Sequence, residues 1–523
     1  MAARDMTGMV QTSPQTERLR ILMTAAEAYP ALEACFLTAR DRISAGFRVF
    51  DPATTLRSPE AREIGERWVD LIVHTLARGV NFRIVIADFD PVARPGCHRR
   101  TWRSVRQLLA AGEASGRPEL LSVIPAMHPA RVGAVPRFFL WPRILRELNA
   151  EARRLNHLAA APARATLAEM PAIRDLVQGR HPELRARRWP IAPLVPASHH
   201  QKVAVFDGQT LFVGGLDLND RRYDTPDHDR PGEDTWHDVQ LLMRGEVAAE
   251  AERHLDEMLD VVAARKPPAR LPTLLRTLSC RRRWPSFTMS PRTLLAEIEA
   301  AHLRRIKEAR QLIYLETQFF RSLPLARALA EAARRSPALG LLLVVPGAPH
   351  SVAFEDSSDS GARYGEYLQA RCVKTVCDAF GARCFVMAPA QPRRSRAEGR
   401  ETLQSAPLVY LHAKVSIFDE RAAIVSSANL NGRSMRWDTE LGISLDRAED
   451  VAALRRRCFE HWLPEDADPD CFDPASAVTA WRDLAQANAG APPEARRGFL
   501  LPYSVGPARR FGRNLPGVPD EMV

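Results

Sequence analysis

The sequence predicts an α/β protein built from two duplicated α/β lobes, each a mixed sheet flanked by helices, related by a pseudo-two-fold axis around one shared active site. Three observations predict it. His200, Lys202 and Asp207 recur as His412, Lys414 and Asp419 at a constant offset of 212 residues. The likeness runs on without a gap, HQKVAVFDGQTLFVGGLDLNDR from 200 lying over HAKVSIFDERAAIVSSANLNGR from 412, which marks an internal duplication. In each half, helical periodicity alternates with strand-like apolar runs, the pattern of mixed sheets covered by helices.

At 523 residues the chain exceeds one core at about 150 residues per domain. The first lobe is placed at 20–265. Ser58-Pro59-Glu60 predicts a helix start, with Ile64, Trp68, Leu71 and Ile72 inward, ended by Gly79 and followed by the strand Phe82 to Ile86. An Arg- and Pro-interrupted stretch, about 132–196, reads as a helical insertion. After the polar Lys266-Pro267-Pro268, the second lobe is placed at 283–465. Ser290-Pro291 predicts its first helix, with Leu294, Leu295, Ile298 and Leu303 inward, and Leu312 to Leu315 the next strand. From 466 to 523 the periodicity fades into a Pro/Arg-rich tail, expected to be extended or poorly ordered.

The composition, 46% hydrophobic and 26% charged, excludes a disordered or membrane-embedded chain. A net charge of +10 favours an anionic partner, nucleic acid or an acidic headgroup layer. The clusters Arg281–Arg283 and Arg455–Arg457 read as solvated faces. Eight cysteines are scattered without a CxxC pair or a zinc-type Cys/His spacing, so no metal and no cofactor are expected. Residues 1–20 hold no apolar signal core, and no uncharged run reaches the roughly 20 residues that span a bilayer. The expectation is a cytoplasmic or peripheral membrane protein, or one secreted by a route without such a signal.

The repeated motif carries chemistry. Side chains alternate along a strand, so His200, Lys202 and Ala204 share one face, as do His412, Lys414 and Ser416, against an apolar opposite face. Two such strands brought together set two imidazoles and two ammonium groups around one space suited to a phosphodiester. The lysines would stabilise charge on the non-bridging oxygens, one histidine would attack phosphorus, and the other would protonate the departing oxygen. Asp207 and Asp419 point away from that face and are assigned to the turn or neighbouring backbone. Gly215 and Asp217, with Ser427 and Asn429 in the second copy, are expected where backbone or side chain could approach a phosphate. Neither copy is eroded, which argues against a binding protein with a relict site.

On these residues the chain resembles the phospholipase D superfamily, in its two-motif, eukaryote-like branch, over about residues 30–465. Gly214 to Leu218, Arg222-Tyr223-Asp224-Thr225 and Trp236-His237-Asp238 resemble the segment after that branch's first motif. Ile313 to Phe320 resembles its IYIENQFF element, with Thr317 in place of Asn. Ser427 to Asn431 with Glu440 resembles the end of its second motif, with Ser426 where Gly is common. The resemblance implies His200 as nucleophile, His412 as general acid and base, Lys202, Lys414 and Asn429 on the phosphate, and Asp238 and Glu440 each orienting an imidazole. It implies hydrolysis of phosphatidylcholine-type phospholipids to phosphatidic acid, with transfer to alcohols. The rivals are a cardiolipin synthase-like phosphatidyltransferase and a phosphodiesterase acting on nucleic acid. The expected partner is a phospholipid membrane surface, met peripherally, with no stable nucleic acid partner and a monomer sufficient for activity. Pro136 to Arg143, an aromatic knot flanked by arginines, is the candidate membrane contact; the competing reading buries it under a loop.

Overall fold

The computed structural model describes residues 18–523; most of the 1–20 segment read for a signal lies outside the described residues. Seven strands form the first sheet: β1 (Leu19–Met23), β2 (Arg42–Phe47), β3 (Asn81–Asp88), β4 (Leu121–Met127), β5 (Lys202–Phe206), β6 (Thr210–Gly214) and β7 (Val239–Arg244), in the order β1-β7-β6-β5-β2-β3-β4. Nine form the second: β8 (Leu274–Cys280), β9 (Arg292–Ala296), β10 (Leu312–Thr317), β11 (Gly340–Val344), β12 (Cys384–Pro389), β13 (Lys414–Phe418), β14 (Ala422–Ser426), β15 (Glu440–Leu445) and β16 (Leu500–Pro502), in the order β9-β8-β15-β14-β13-β10-β11-β12-β16. Without its edge strands β9 and β16, the second sheet repeats the first strand for strand. In both, a parallel trio (β2-β3-β4; β10-β11-β12) meets an antiparallel set through the motif strand.

The two sheets share a core. Val203, Val205, Leu211 and Val213 from β5 and β6 join Val415, Ile417, Ala423 and Val425 from β13 and β14 in one buried cluster. Each sheet's outer face is closed by its own helices, among them Thr24–Thr38 and Trp68–Ala77 on the first and Glu297–Glu308, Leu323–Arg335 and Ser360–Phe380 on the second. The insertion folds as helices, including Ala134–Phe139 and Trp141–Asn156, around a separate small core of Ile144, Leu148, Met170 and Ile173.

Three local expectations are corrected. The helix begun at Ser58, whose Oγ accepts from Ala61 N at 3.2 Å, ends at Arg62. A separate helix starts at Trp68, because the Asp70 carboxylate turns back to accept from Glu66 N and Arg67 N at 3.0 and 2.9 Å, filling the space beside Gly65. Past Ser290, Leu294 and Leu295 lie on an edge strand rather than in a helix; the helix begins at Glu297, and Leu303 is 36% exposed. The tail is ordered: Val478, Trp481 and Ala485, at helical spacing, bury one face of the helix Ala477–Gly490, and β16 adds antiparallel to β12. Several of its prolines, among them Pro492 and Pro493, fall between these elements, and Pro502 sits at the end of the edge strand β16, where a missing N–H costs little.

Candidate active site

Both motif strands end on the same device. The residue before each motif histidine makes a parallel bridge to the other half, His199 to Thr439 and Leu411 to His237. His200 N donates to Thr439 O at 2.9 Å and His412 N to His237 O at 2.8 Å. The next residue along each bridge is a carboxylate, so each half supplies the acid behind the other half's imidazole. His200 Nδ1 lies 3.0 Å from Glu440 Oε2, and His412 Nδ1 lies 2.6 Å from Asp238 Oδ2. A carboxylate on Nδ1 selects the tautomer that leaves Nε2 for the reacting atom.

Lys202 and Lys414 are buried at 0% and 4% exposure, and each Nζ donates to the carbonyl of its own motif histidine. Burial pulls Lys202 down to about 8, against the pull of Asp217 and Glu440, and Lys414 to about 7, against that of Asp238. Burial also holds both motif imidazoles well below the usual histidine range, with Lys202 the next cause at His200 and Lys414 the next at His412. Glu440 is pushed up to about 8 by burial, and Asp238 upward for the same reason. Two imidazoles whose burial favours the neutral form and two easily discharged ammonium groups are thus gathered together, where an anion would meet the lysine charges.

The remaining candidates divide. Asn429 is 4% exposed, and its Oδ1 makes no hydrogen bond. Gly215 instead makes room for an acid: a Cβ there would stand 2.1 Å from Asp238 Oδ1. Ser427 Oγ donates to Glu440. Asp217, assigned to phosphate by its position in the repeat, accepts from Val49 N at 2.8 Å and faces Arg222 at 3.2 Å and Lys202 at 3.9 Å. An anion held by those cations steadies the lysine rather than meeting a phosphate. Asp207 takes the backbone N–H groups of Arg40, Asp41 and Arg42 on one carboxylate, and Asp419 those of Arg310, Gln311 and Leu312.

Sequence reasoning missed Arg48 and Arg433, whose charges bear on His200; Arg48 lies outside the repeat, and Arg433 closes the repeated segment opposite Arg221 without having been read as part of the site. It also missed the packing of Trp236, whose ring lies 4.6 Å from that of His412 at a 34° tilt, with Arg222 over its far side.

The family profile described as "Cardiolipin synthase, PLD-like domain" matches residues 302–462. Phospholipase D2 from Bos taurus is 23% identical over 439 residues, covering 59% of this chain and 46% of that protein. Phospholipase D1 from Schizosaccharomyces pombe is 22% identical over 381 residues, covering 54% of this chain and 27% of that one. The chain therefore spans less than half the length of these curated relatives. Among solved structures, phosphatidylserine synthase from Haemophilus influenzae Rd KW20 superposes with a TM-score of 0.50 at 13% identity, over 90% of this chain and 94% of that one, a likeness of fold.

Proposed function

Because the chain belongs to the phospholipase D superfamily, we propose that it is a phospholipase D, cleaving the distal phosphodiester of phosphatidylcholine-type glycerophospholipids to phosphatidic acid and free headgroup. The reciprocal pairs His200–Glu440 and His412–Asp238 carry this reading. His200 Nε2 attacks phosphorus, the bond to the headgroup oxygen breaks, and that oxygen takes its proton from His412, which enters this step as the imidazolium paired with Asp238 and leaves it neutral. Water, or an alcohol, then gives a proton to His412 and attacks the phosphohistidine, releasing His200. Lys202 and Lys414, with the Asn429 amide, hold the non-bridging oxygens as charge builds on them. Asp238 and Glu440 support each imidazole when it becomes cationic.

A lipid substrate is favoured over nucleic acid by the surface. Phe138, Phe139, Trp189, Trp284 and Phe287 are 56–80% exposed. They share one face, since Gly133 N donates to Thr288 O and Val135 N to Ser286 O at 2.8 and 2.9 Å, and Trp141 bridges Phe138 to Trp189. Arg143, Arg187, Arg188, Arg281 and Arg283 stand exposed nearby in sequence. Aromatics ringed by arginines suit the interfacial layer of an anionic bilayer. A second reading, phosphatidyl transfer to an alcohol acceptor, uses the same intermediate and is favoured by the description of the matching profile.

The test is product analysis on phosphatidylcholine vesicles containing ethanol, with His200→Ala as control. Choline with phosphatidylethanol, absent from the control, supports the reading. Phosphatidyl transfer with no release to water favours the second. Neither product with phosphatidylcholine or phosphatidylglycerol, but cleavage of DNA or RNA, overturns both.

A further inference from the structure

Next to Asp238, the partner of His412, three histidines from both halves converge. His228, His237 and His461 each offer a ring nitrogen, and the three nitrogens lie within 4.8 Å of one another. His228 Nε2 and His461 Nε2 are 2.9 Å apart. His237 is wholly buried, and neither of its nitrogens makes a hydrogen bond, although Nε2 stands 2.6 Å from Glu316 Oε1. That pair is close but misaligned, and Glu316 Oε1 is itself without a hydrogen bond. His228 Nδ1 is held by Asp224 Oδ2 at 2.6 Å.

We infer that His228, His237 and His461 form a site for a divalent transition-metal ion of zinc's type. Three imidazoles are a common zinc donor set. A ligating histidine ordinarily gives its second nitrogen to a carboxylate, which fixes the ring; Asp224 stands so behind His228, and Glu316 beside His237. Charge agrees. Asp224 and Glu316 are both wholly buried, and among the described residues their ion pairs are with imidazoles. Two wholly buried carboxylates beside the imidazole cluster stand where a divalent ion would meet opposite charge. The expectation of no metal rested on cysteine spacing; these histidines are 9 and 224 residues apart along the chain, which no spacing rule joins.

The ion would be structural. It ties the helix Ala448–Trp462 of the second half, through His461, to the first-half segment that carries His237 and Asp238. His237 faces Trp462 at 4.4 Å between ring centroids, while Asp238 faces His412.

Metal content measured on the tag-free full chain tests this without any turnover, so its outcome is independent of the lipid reading. After reconstitution with zinc and dialysis into metal-free buffer, the chain is expected to keep about one equivalent, and the cobalt-substituted protein to show visible bands of a tetrahedral site. His228→Gln and His461→Ala, folded by circular dichroism, should each fall to background. Retention below about a tenth of an equivalent in the wild type, or full retention in both variants, overturns the site. If neither variant folds, X-ray absorption of the zinc-loaded wild type decides: an imidazole-nitrogen shell supports the site, and a sulfur or all-oxygen shell overturns it.

Discussion

An imidazole attacks phosphorus only through a nitrogen whose lone pair is free, and here that requirement falls on Glu440 and Asp238. Glu440→Gln or Asp238→Asn should lower kcat by about 10²–10⁴-fold with little change in KM, because the substrate contacts are untouched while the tautomer is lost. Gly215→Ala should follow Asp238→Asn, since its Cβ would occupy the place of Asp238 Oδ1; steady-state kinetics of the three variants checks this. His412→Asn is expected to accumulate phosphohistidine at His200 with a substrate whose leaving group needs no proton, seen by mass spectrometry; phosphate on His412 in the converse variant would reverse the roles. The lysines set the alkaline limit. Their charged forms lose protons as pH rises through about 7 at Lys414 and 8 at Lys202, and the charged forms bind the phosphodiester. For short-chain phosphatidylcholine, which does not titrate there, kcat/KM should therefore begin to fall at about pH 7 and fall more steeply above about 8, rather than near the ordinary lysine value of about 10.4. The six residues of the repeat were legible because two copies fix what one cannot. Gly215, Ser427 and Asp217 were misread because a linear pattern shows that small or polar groups gather at the pocket, not that carboxylates already fill it.

Among the elements, the motif aspartates explain why the duplication is so exact over β5 and β6. Asp207 and Asp419 both sit at positive φ, 51° and 53°, just past the motif strand, and each gathers three N–H groups at the start of the neighbouring antiparallel strand, β2 or β10. Asp207→Ala or Asp419→Ala should cost about 1–3 kcal/mol of stability, the loss of charge-assisted bonds to donors that water partly re-satisfies. Urea denaturation measures it, and the kinetics of the folded fraction should stay near wild type. The sheet order was legible to the extent that the copies aligned. The strand β9 was not, because Leu294 and Leu295 fit either a helix face or an edge strand, and pairing with β8 decides between them. The ordered tail was hidden by its many prolines, while its evidence, Val478, Trp481 and Ala485, is only one short periodic run.

At the scale of the whole molecule, catalysis depends on two sheets that share one core, since neither half holds a complete histidine–carboxylate pair. On the proposed lipid reading, substrate must reach His200 and His412, which are only 9% and 3% exposed, and the exposed aromatic face is the surface proposed to bring it there. Its residues arise from the insertion and from the loop after β8, two segments outside the duplicated strands, so no repeat could have revealed that they meet. Burying an aromatic side chain is worth about 1.5–3 kcal/mol, and partial insertion of three gives about 3 kcal/mol, or roughly a hundredfold in vesicle affinity. The triple variant Phe139→Ser, Trp284→Ser, Phe287→Ser should therefore lose about that much binding to anionic vesicles in a flotation assay, and kcat/KM on vesicles should fall with it. Hydrolysis of a monomeric short-chain phosphatidylcholine should stay within about twofold of wild type, because none of the three touches the histidine pocket. An equal loss on monomeric substrate would make the face a structural support of the insertion, and membrane contact would then have to be sought elsewhere on the molecule.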